Sequence, residues 1–407
     1  MSSTSSPLPS TPDYIAATRA SCLATSTALG LTPNTESMNA FLRTLDQASF
    51  ERLRTQHGLS FPLRFPTHTA EINFLAILAL LNAYSGYRTV FHKATGIGAY
   101  QNVVRLMMGL YIAGGEEDRV VGAAALTAKG MAALSEAKVV ELLGVSVHEE
   151  KQHESLPGVT VGVRGGEMFE AVQMILSTVQ GVGKTLLANN FASMGAYLVH
   201  LLQDTKSQNL NDQQATDYLV RQIASTFPEF RDTHHIQPID TDVYVFKRIF
   251  FLLHSLYVKF GQHPDLYIPN TFQTLPMFVD NVLPTLCVWL HLFDQPAPPA
   301  PDSMHTLYHW MAHSHQHADL ARDVLESMPN NMPGPTLSPD ETYALRAATL
   351  NLGAALVERA KVLAKQDGLE WLHRLNEVDL DGYLWAVAKD DPALRKVPRF
   401  SFASIHF

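Results

Sequence analysis

Apolar residues recur at three- and four-residue steps through residues 40–53, 73–87, 100–112 and 120–134, the repeat of a helix with one buried face. Further helices are predicted over 167–178, 184–202, 212–226, 246–260, 277–292, 302–327 and 339–364, most of them bounded by Gly, Pro, Asn or Asp. Alternation with period two is scarce. Residues 159–163, ahead of Gly165-Gly166, together with 243–246 and 400–407, are the best strand candidates, each only a few residues long. The pattern therefore predicts a mainly α fold with few short strands.

Two punctuation zones stand out, 294–302 (DQPAPPAPD) and 328–339. Neither exceeds about 12 residues and the flanking helices share one composition, so both read as surface loops inside a single helical domain spanning 13–407. No repeat of about 20–50 residues is present, which argues against a helical solenoid. Residues 1–12 are mostly Ser, Thr and Pro, with no basic or apolar leader region, and read as a flexible tail. The most apolar stretch, 74–81, is flanked by Asn73 and Asn82 and falls well short of the ~20 residues of a bilayer span, so no membrane association is expected.

Composition narrows the function. With 407 residues, 46% hydrophobic and 17% charged, the chain can bury a large core. Thirty basic residues against 39 acidic ones give a net charge of −9, which argues against a surface that reads DNA or tRNA. A small anionic ligand remains compatible, since it needs only a local basic cluster. The two cysteines, Cys22 and Cys287, are too few for a disulfide framework and fit the reducing cytoplasm.

Three motifs carry possible chemistry. Residues 180–185 (QGVGKT) end like a phosphate-binding loop, but the glycine required five positions before Gly183 is Thr178 and no β-branched strand precedes it. The segment reads instead as a break between two helices. His305, His309, His313 and His317 follow at four-residue steps, so a helix projects all four from one stripe, with His315 off it. Such a row suits a metal-dependent hydrolase, although a proline-rich loop precedes it and no carboxylate or thiolate partner is evident. In residues 148–153 (HEEKQH) the histidines stand five apart, on different faces of a helix.

The third pattern is quieter. Lys247-Arg248 open an otherwise apolar helix, and Asp280 sits alone among Phe278, Val279, Val282 and Leu283. An aspartate in that setting is either a helix N-cap or a buried catalytic group. Arg231-Asp232, within FPEFRD, reads as a structural ion pair.

Taken in order, six segments resemble the queuosine salvage family of queuosine 5′-phosphate N-glycosylases. They are 73–82, with asparagines at both ends of an apolar helix, 178–187 with its Gly-Lys, FPEFRD at 227–232, YVFKR at 244–248, FVDNVLP at 278–284, and 381–398 (DGYLW…VP). The resemblance covers most of residues 70–400, although its tightly matching motifs are about a tenth of the chain. It implies an all-helical fold related to helix-hairpin-helix DNA glycosylases but without their DNA-binding surface. It also implies cleavage of the N-glycosidic bond of queuosine 5′-monophosphate, releasing queuine for reinsertion into tRNA, with no metal or organic cofactor.

Carried over by position, the resemblance makes Asp280 the catalytic carboxylate and Lys247 its partner. Cleavage of a C1′–N bond builds positive charge on the ribose, which a carboxylate can stabilise, attack, or quench with an oriented water. The lysine can keep that carboxylate ionised, or meet the phosphate or the departing base. Arg248 and Arg231 are the candidates for phosphate contact by charge. Phe278, Tyr87 and Trp385 are the candidates for aromatic walls around the planar base, with Asn82 and Asp381 as further substrate contacts.

Three positions depart from the family pattern. An arginine becomes Val282, an acidic residue becomes Ser255, and another acidic residue, within the Asn-to-Asn helix, becomes Ala79. These departures mark a divergent member and leave two competing readings, the metal-dependent hydrolase on the histidine row and a non-catalytic binder of modified nucleosides.

Overall fold

The computed structural model describes residues 7–54, 59, 61–112, 123–295, 301–316, 332–402, 404 and 406. Within them the chain runs through α1 (Tyr14–Ala28), α2 (Thr35–Thr44), α3 (Gln47–Leu53), α4 (His68–Leu81), α5 (Arg88–Thr95), α6 (Ala99–Ile112), α7 (Ala128–Ala132) and α8 (Glu136–Leu143). A hairpin follows, β1 (His148–Gln152) against β2 (Thr160–Arg164), then α9 (Glu167–Ala188), α10 (Met194–Ser207) and α11 (Asp212–Thr226). A second hairpin, β3 (Thr233–Ile236) with β4 (Thr241–Tyr244), leads into α12 (Lys247–Phe260), α13 (Thr271–Thr274), α14 (Val282–Trp289), α15 (His305–Gln316), α16 (Pro339–Leu363) and α17 (Glu377–Asp390). The mainly α fold is as the periodicity predicts.

Helix α4 explains the centre of the molecule. Eleven of its 14 residues are buried, and a helix apolar on every side belongs inside a core. Against it pack α10, α12 and α6. A second apolar core is built around α16, with α1, α14 and α15. Helix α17 lies between the two, giving Val378 to the first and Leu380 and Leu384 to the second. Reciprocal caps set two of these helices. Ser338 and Glu341 exchange side-chain and backbone bonds at the start of α16, as Asn211 and Gln214 do at α11.

Several expectations need correction. The stretch 40–53 is two helices, because Asp46 accepts from the Ser49 amide and starts α3 afresh. Of the helix predicted over 120–134, residues 120–122 lie outside the described residues. The remainder breaks at Thr127, whose hydroxyl accepts from the Gly130 amide. The QGVGKT segment is no helix break, since α9 runs straight through it. A Cβ at Gly183 would stand 2.4 Å from the Ala132 nitrogen and one at Gly181 would stand 1.9 Å from Glu229 Oε1, so these glycines let neighbouring segments approach the helix closely. The HEEKQH segment is half of the first hairpin rather than a helix.

Residues 277–280 lie outside any helix instead of opening one, for a reason given below. Of 400–407, only Ser401 makes a bridge, to Thr336, among the described residues. Of the predicted tail, residues 1–6 lie outside the described residues, while Pro9 is buried and Leu8 packs on the first core. Residues 296–300 and 328–331 of the two predicted loops, and 317–327 of the predicted helix, also lie outside them. Both cysteines are buried, and burial pushes each thiol up to about 12. No single described helix is long and apolar enough to cross a membrane.

Candidate active site

Helix α12 starts at a forced turn. Phe246 adopts a left-handed conformation (φ 51°), and the amides of Val245 and Phe246 both donate to the Asp232 carbonyl. The Lys247 amide donates to Asp232 Oδ2 at 3.3 Å, which fixes the first residue of the helix. From there Lys247, Phe251 and His254 fall at i, i+4 and i+7 and share one face. Lys247 Nζ donates to the Asn82 carbonyl at 2.6 Å, at the C-cap of α4 where the helix dipole favours a cation. Burial pushes the Lys247 amine down to about 8, with the Asp280 charge pulling the other way.

Asp280 precedes α14. The N-cap position itself is Asn281, but Asp280, one residue earlier, does the capping: its Oδ1 accepts from the Val282 amide at 2.6 Å and from Leu283 at 3.4 Å. Capping does not exhaust the residue, because Oδ2 takes no part in those bonds and Asp280 also lines a cavity. The extended backbone before it is held from two sides. The Phe278 amide donates to Asp381 Oδ2 at 2.7 Å, and the Val279 carbonyl accepts from Arg346 at 3.0–3.1 Å. Backbone groups spent on tertiary partners cannot build the predicted first turn.

Helix α17 closes the site. Val378, Asp381, Gly382 and Trp385 stand at i, i+3, i+4 and i+7, all on the cavity side. Gly382 is required by the neighbouring chain, since a Cβ there would lie 2.7 Å from the Arg54 carbonyl oxygen. The Asp381 carboxyl is raised well above its ordinary range, first by burial and further by the Asp280 charge, against the Phe278 amide bond and Lys247. Burial and the Asp280 charge therefore favour the protonated form of Asp381.

These faces line a small cavity of about 60 Å³. The lysine and both aspartates meet there, with Asn82 at the rim of α4. Phe278, Phe251, Trp385 and Tyr100 supply aromatic surface, the Trp385 and Tyr100 rings meeting edge to face at 6.0 Å. His254 completes the wall, its Nδ1 hydrogen-bonded to Thr271 Oγ1 at 2.9 Å.

Six residues singled out in the sequence thus converge: Lys247, Asp280, Asp381, Asn82, Phe278 and Trp385. Three do not. Arg248 is fully buried, with its guanidinium on the carbonyls of Leu80 (2.8 Å) and Glu229 and on His406 Nδ1 (3.2 Å), and it staples α4 to the 228–230 turn. Arg231 donates to the Ala224 and Ser225 carbonyls, capping the end of α11. Tyr87 packs against α9, its hydroxyl 3.5 Å from Met174 Sδ. The ion pair assigned to Arg231-Asp232 belongs to Asp232 and Arg346 instead.

Ala79, Ser255 and Val282, where the chain departs from the family pattern, are all buried and none lines the cavity. Ser255 donates to the Phe251 carbonyl of its own helix at 2.7 Å. Sequence reasoning missed Phe251, His254, Val378, Gly382 and Tyr100. The first four follow helical spacing from Lys247 or Asp381, whereas Tyr100 arrives from a separate helix and carries no such signal.

The histidine row lies on α15, where the His305 and His309 rings stack at 6.1 Å, and His317 is outside the described residues. Among the described residues no group of three or more His, Cys, Asp or Glu side chains is arranged to hold a metal ion. No family model matches the chain, and no curated protein matches it.

Proposed function

We propose that this protein is an N-glycosyl hydrolase that cleaves queuosine 5′-monophosphate, or a close analogue, into queuine and ribose 5-phosphate. One observation carries the reading. An aspartate, a lysine and a second aspartate whose carboxyl is raised above its ordinary range, drawn from positions 280, 247 and 381, meet in one aromatic-walled cavity. The resemblance drawn from the sequence assigns the first two to this reaction and the third to the substrate.

The chemistry gives the two carboxyl groups different roles, with burial favouring the protonated form of Asp381 as proton donor. As the C1′–N bond breaks, its electron pair leaves with the base, and Asp381 supplies the proton that makes the base a stable leaving group. The ribose becomes an oxocarbenium ion, which the Asp280 carboxylate stabilises. Water adds to C1′ and gives its proton to Asp280. Exchange with solvent then restores a protonated Asp381 and an ionised Asp280. The charged Lys247 lines the same cavity as Asp280 and adds positive potential beside the carboxylate. The aromatic walls stack on the planar base and keep bulk water from the reacting carbon.

The departures at Ala79, Ser255 and Val282 lie outside the cavity wall, which favours a queuosine-like substrate over an unrelated one. The test is mass-spectrometric detection of base released from queuosine 5′-monophosphate, queuosine and GMP. The expected result is queuine from the monophosphate, abolished in folded Asp280→Asn. Retention of full activity in Asp280→Asn would overturn the catalytic role. Tight binding without release, in wild type as in the variant, would make the protein a nucleoside binder.

A further inference from the structure

The first hairpin, β1 with β2, takes no part in the site, and every residue of its strands is exposed except the half-buried Val161. Two bonds fix which way its backbone faces. The Gly165 amide donates to the Val147 carbonyl at 3.0 Å and the His153 amide to the Val159 carbonyl at 2.8 Å. Odd-numbered residues therefore face the partner strand and, because bonded and non-bonded pairs alternate in an antiparallel ladder, even-numbered ones turn outward. On β2 the outward residues are Thr160, Gly162 and Arg164, and no main-chain group of theirs bonds to another described residue along that edge.

Val159, Val161 and Val163 alternate along β2 and so share one face of the sheet. Val159 is 42% and Val163 40% exposed, and Leu156 at the turn is 52% exposed. An apolar stripe thus runs beside a row of free main-chain groups. Sheets in soluble proteins blunt such an edge with Lys, Pro or a covering segment, and the strand TVGVR contains neither residue. Its one charge is spent within the chain, since Arg164 donates to Glu136 and lies over the Phe169 ring at 4.9 Å.

The edge is complementary to itself. When two β2 strands run antiparallel about a two-fold axis at Gly162, Thr160 of one meets Arg164 of the other and the two Gly162 residues meet at the axis. Every outward residue then exchanges main-chain bonds with an outward residue. Val161 faces Val163 of the second copy, and the reverse, in the non-bonded pairs where side chains approach most closely. No side chain crowds the axis, and no like charges oppose each other across it. The β1 edge lacks this fit. The same construction there sets Glu150 against Glu150, a like-charge pair, and the His148 amide is already bonded to Ser146 Oγ at 3.2 Å. Pairing β1 with β2 of another copy leaves an edge free at each end and builds an open chain rather than a closed dimer.

We propose that β2 is a self-association edge, which pairs antiparallel with β2 of a second copy of this chain about Gly162 to give a four-stranded sheet. The dimer is weak. Five residues span about 17 Å, too short an edge to cover the roughly 800 Å² per partner of a standard interface, so a Kd of roughly 10⁻⁵–10⁻⁴ M is expected. Each copy carries a net charge of −9, so added salt strengthens the association by screening the repulsion.

The experiment is sedimentation equilibrium of the full chain from about 5 to about 500 µM, at low and high salt, for wild type, Gly162→Pro and Glu150→Pro. Proline deletes one outward N–H and leaves the inward ladder of its own hairpin intact, a placement that edge strands tolerate. The expected result is a monomer–dimer equilibrium that tightens with salt, weakened roughly tenfold or more by Gly162→Pro and little changed by Glu150→Pro. Amide exchange at residues 160–164 of wild type, needing no variant, should slow as the concentration rises. A wild type that stays monomeric over the whole range at both salts would overturn the proposal. So would a dimer that Gly162→Pro leaves intact, one that Glu150→Pro disrupts equally, or growth beyond the dimer into open assemblies.

Discussion

Asp232 and Arg346 form a bidentate ion pair, at 2.9 and 2.7 Å, with both side chains wholly buried. Its outer edges hold the two residues assigned to catalysis. Asp232 anchors the Lys247 amide, Arg346 anchors the carbonyl of Val279 next to Asp280, and Tyr343 adds a 2.9 Å bond to the carboxylate. The pair is thus the positioning frame of the site, and FPEFRD matters in the sequence for its last residue.

Breaking that frame is expected to cost stability before chemistry. Arg346→Leu leaves a buried carboxylate uncompensated, a loss of about 3–5 kcal/mol, read as a lower denaturant midpoint. Burial opposes ionisation of Asp232, but Arg346 outweighs it and holds the carboxyl well below its usual range. A depressed folded value contributes stability that is present above about pH 4, the unfolded range, and is lost as the pH falls toward the folded value. The gap between wild type and Arg346→Leu should therefore narrow below pH 4. A gap that is constant with pH would contradict the assignment.

Lys247 sets an alkaline limit. Its amine is pushed down to about 8 by burial, so the cation that supports Asp280 is lost as the pH rises through that value. The expected kcat/KM profile falls on the alkaline side with a midpoint near 8, and the limb moves upward in Lys247→Arg, which keeps its charge. A profile flat from pH 7 to 9.5 would remove Lys247 from the electrostatics of the reaction.

Asp381→Asn removes the proton donor and leaves the shape nearly unchanged. A loss of roughly 10²–10⁴-fold in kcat is expected for the nucleotide. A ribosyl 5-phosphate carrying 4-nitrophenolate, a leaving group that needs no proton, should lose far less. Equal losses on both substrates would reduce Asp381 to the anchor of the Phe278 amide.

Trp385 reads the base by stacking. Trp385→Ala should raise KM by roughly 5- to 150-fold, the equivalent of about 1–3 kcal/mol for one stacked base, with a smaller effect on melting temperature than a fully buried aromatic would have, because the residue is only partly buried. Binding of ribose 5-phosphate should be untouched.

Gly183→Ala tests the reading of QGVGKT. The added methyl would meet backbone atoms of α7 at 2.4–2.9 Å, and overpacking of that kind costs about 1–3 kcal/mol. An alanine that stabilises the protein, as helix propensity alone predicts, would show that α7 yields.

What the chain determined by itself is what depends on near neighbours. Helical periodicity gave α6, α11, α12 and α16 within a few residues, because each buries one continuous face. Local spacing also holds the signal, not drawn from the sequence, that groups Phe251 and His254 with Lys247, and Val378 and Gly382 with Asp381. The ordered motifs pointed to Asp280 and Lys247 as a pair. Helix α1 was missed, since its Ser- and Thr-rich sequence has little amphipathic contrast.

Only the tertiary structure decided the rest. Arginine charge alone marked Arg248 and Arg231 for a phosphate, but their positions put them among unsatisfied carbonyls of α4 and α11, which took them. Residues 277–280 have the composition of a helix, and two distant partners, Asp381 and Arg346, hold their backbone out of one. A second cavity unites residues near 88 with residues near 399, more than 300 positions apart. No periodicity records such a meeting, because it is fixed by how whole helices pack and not by any turn of one of them.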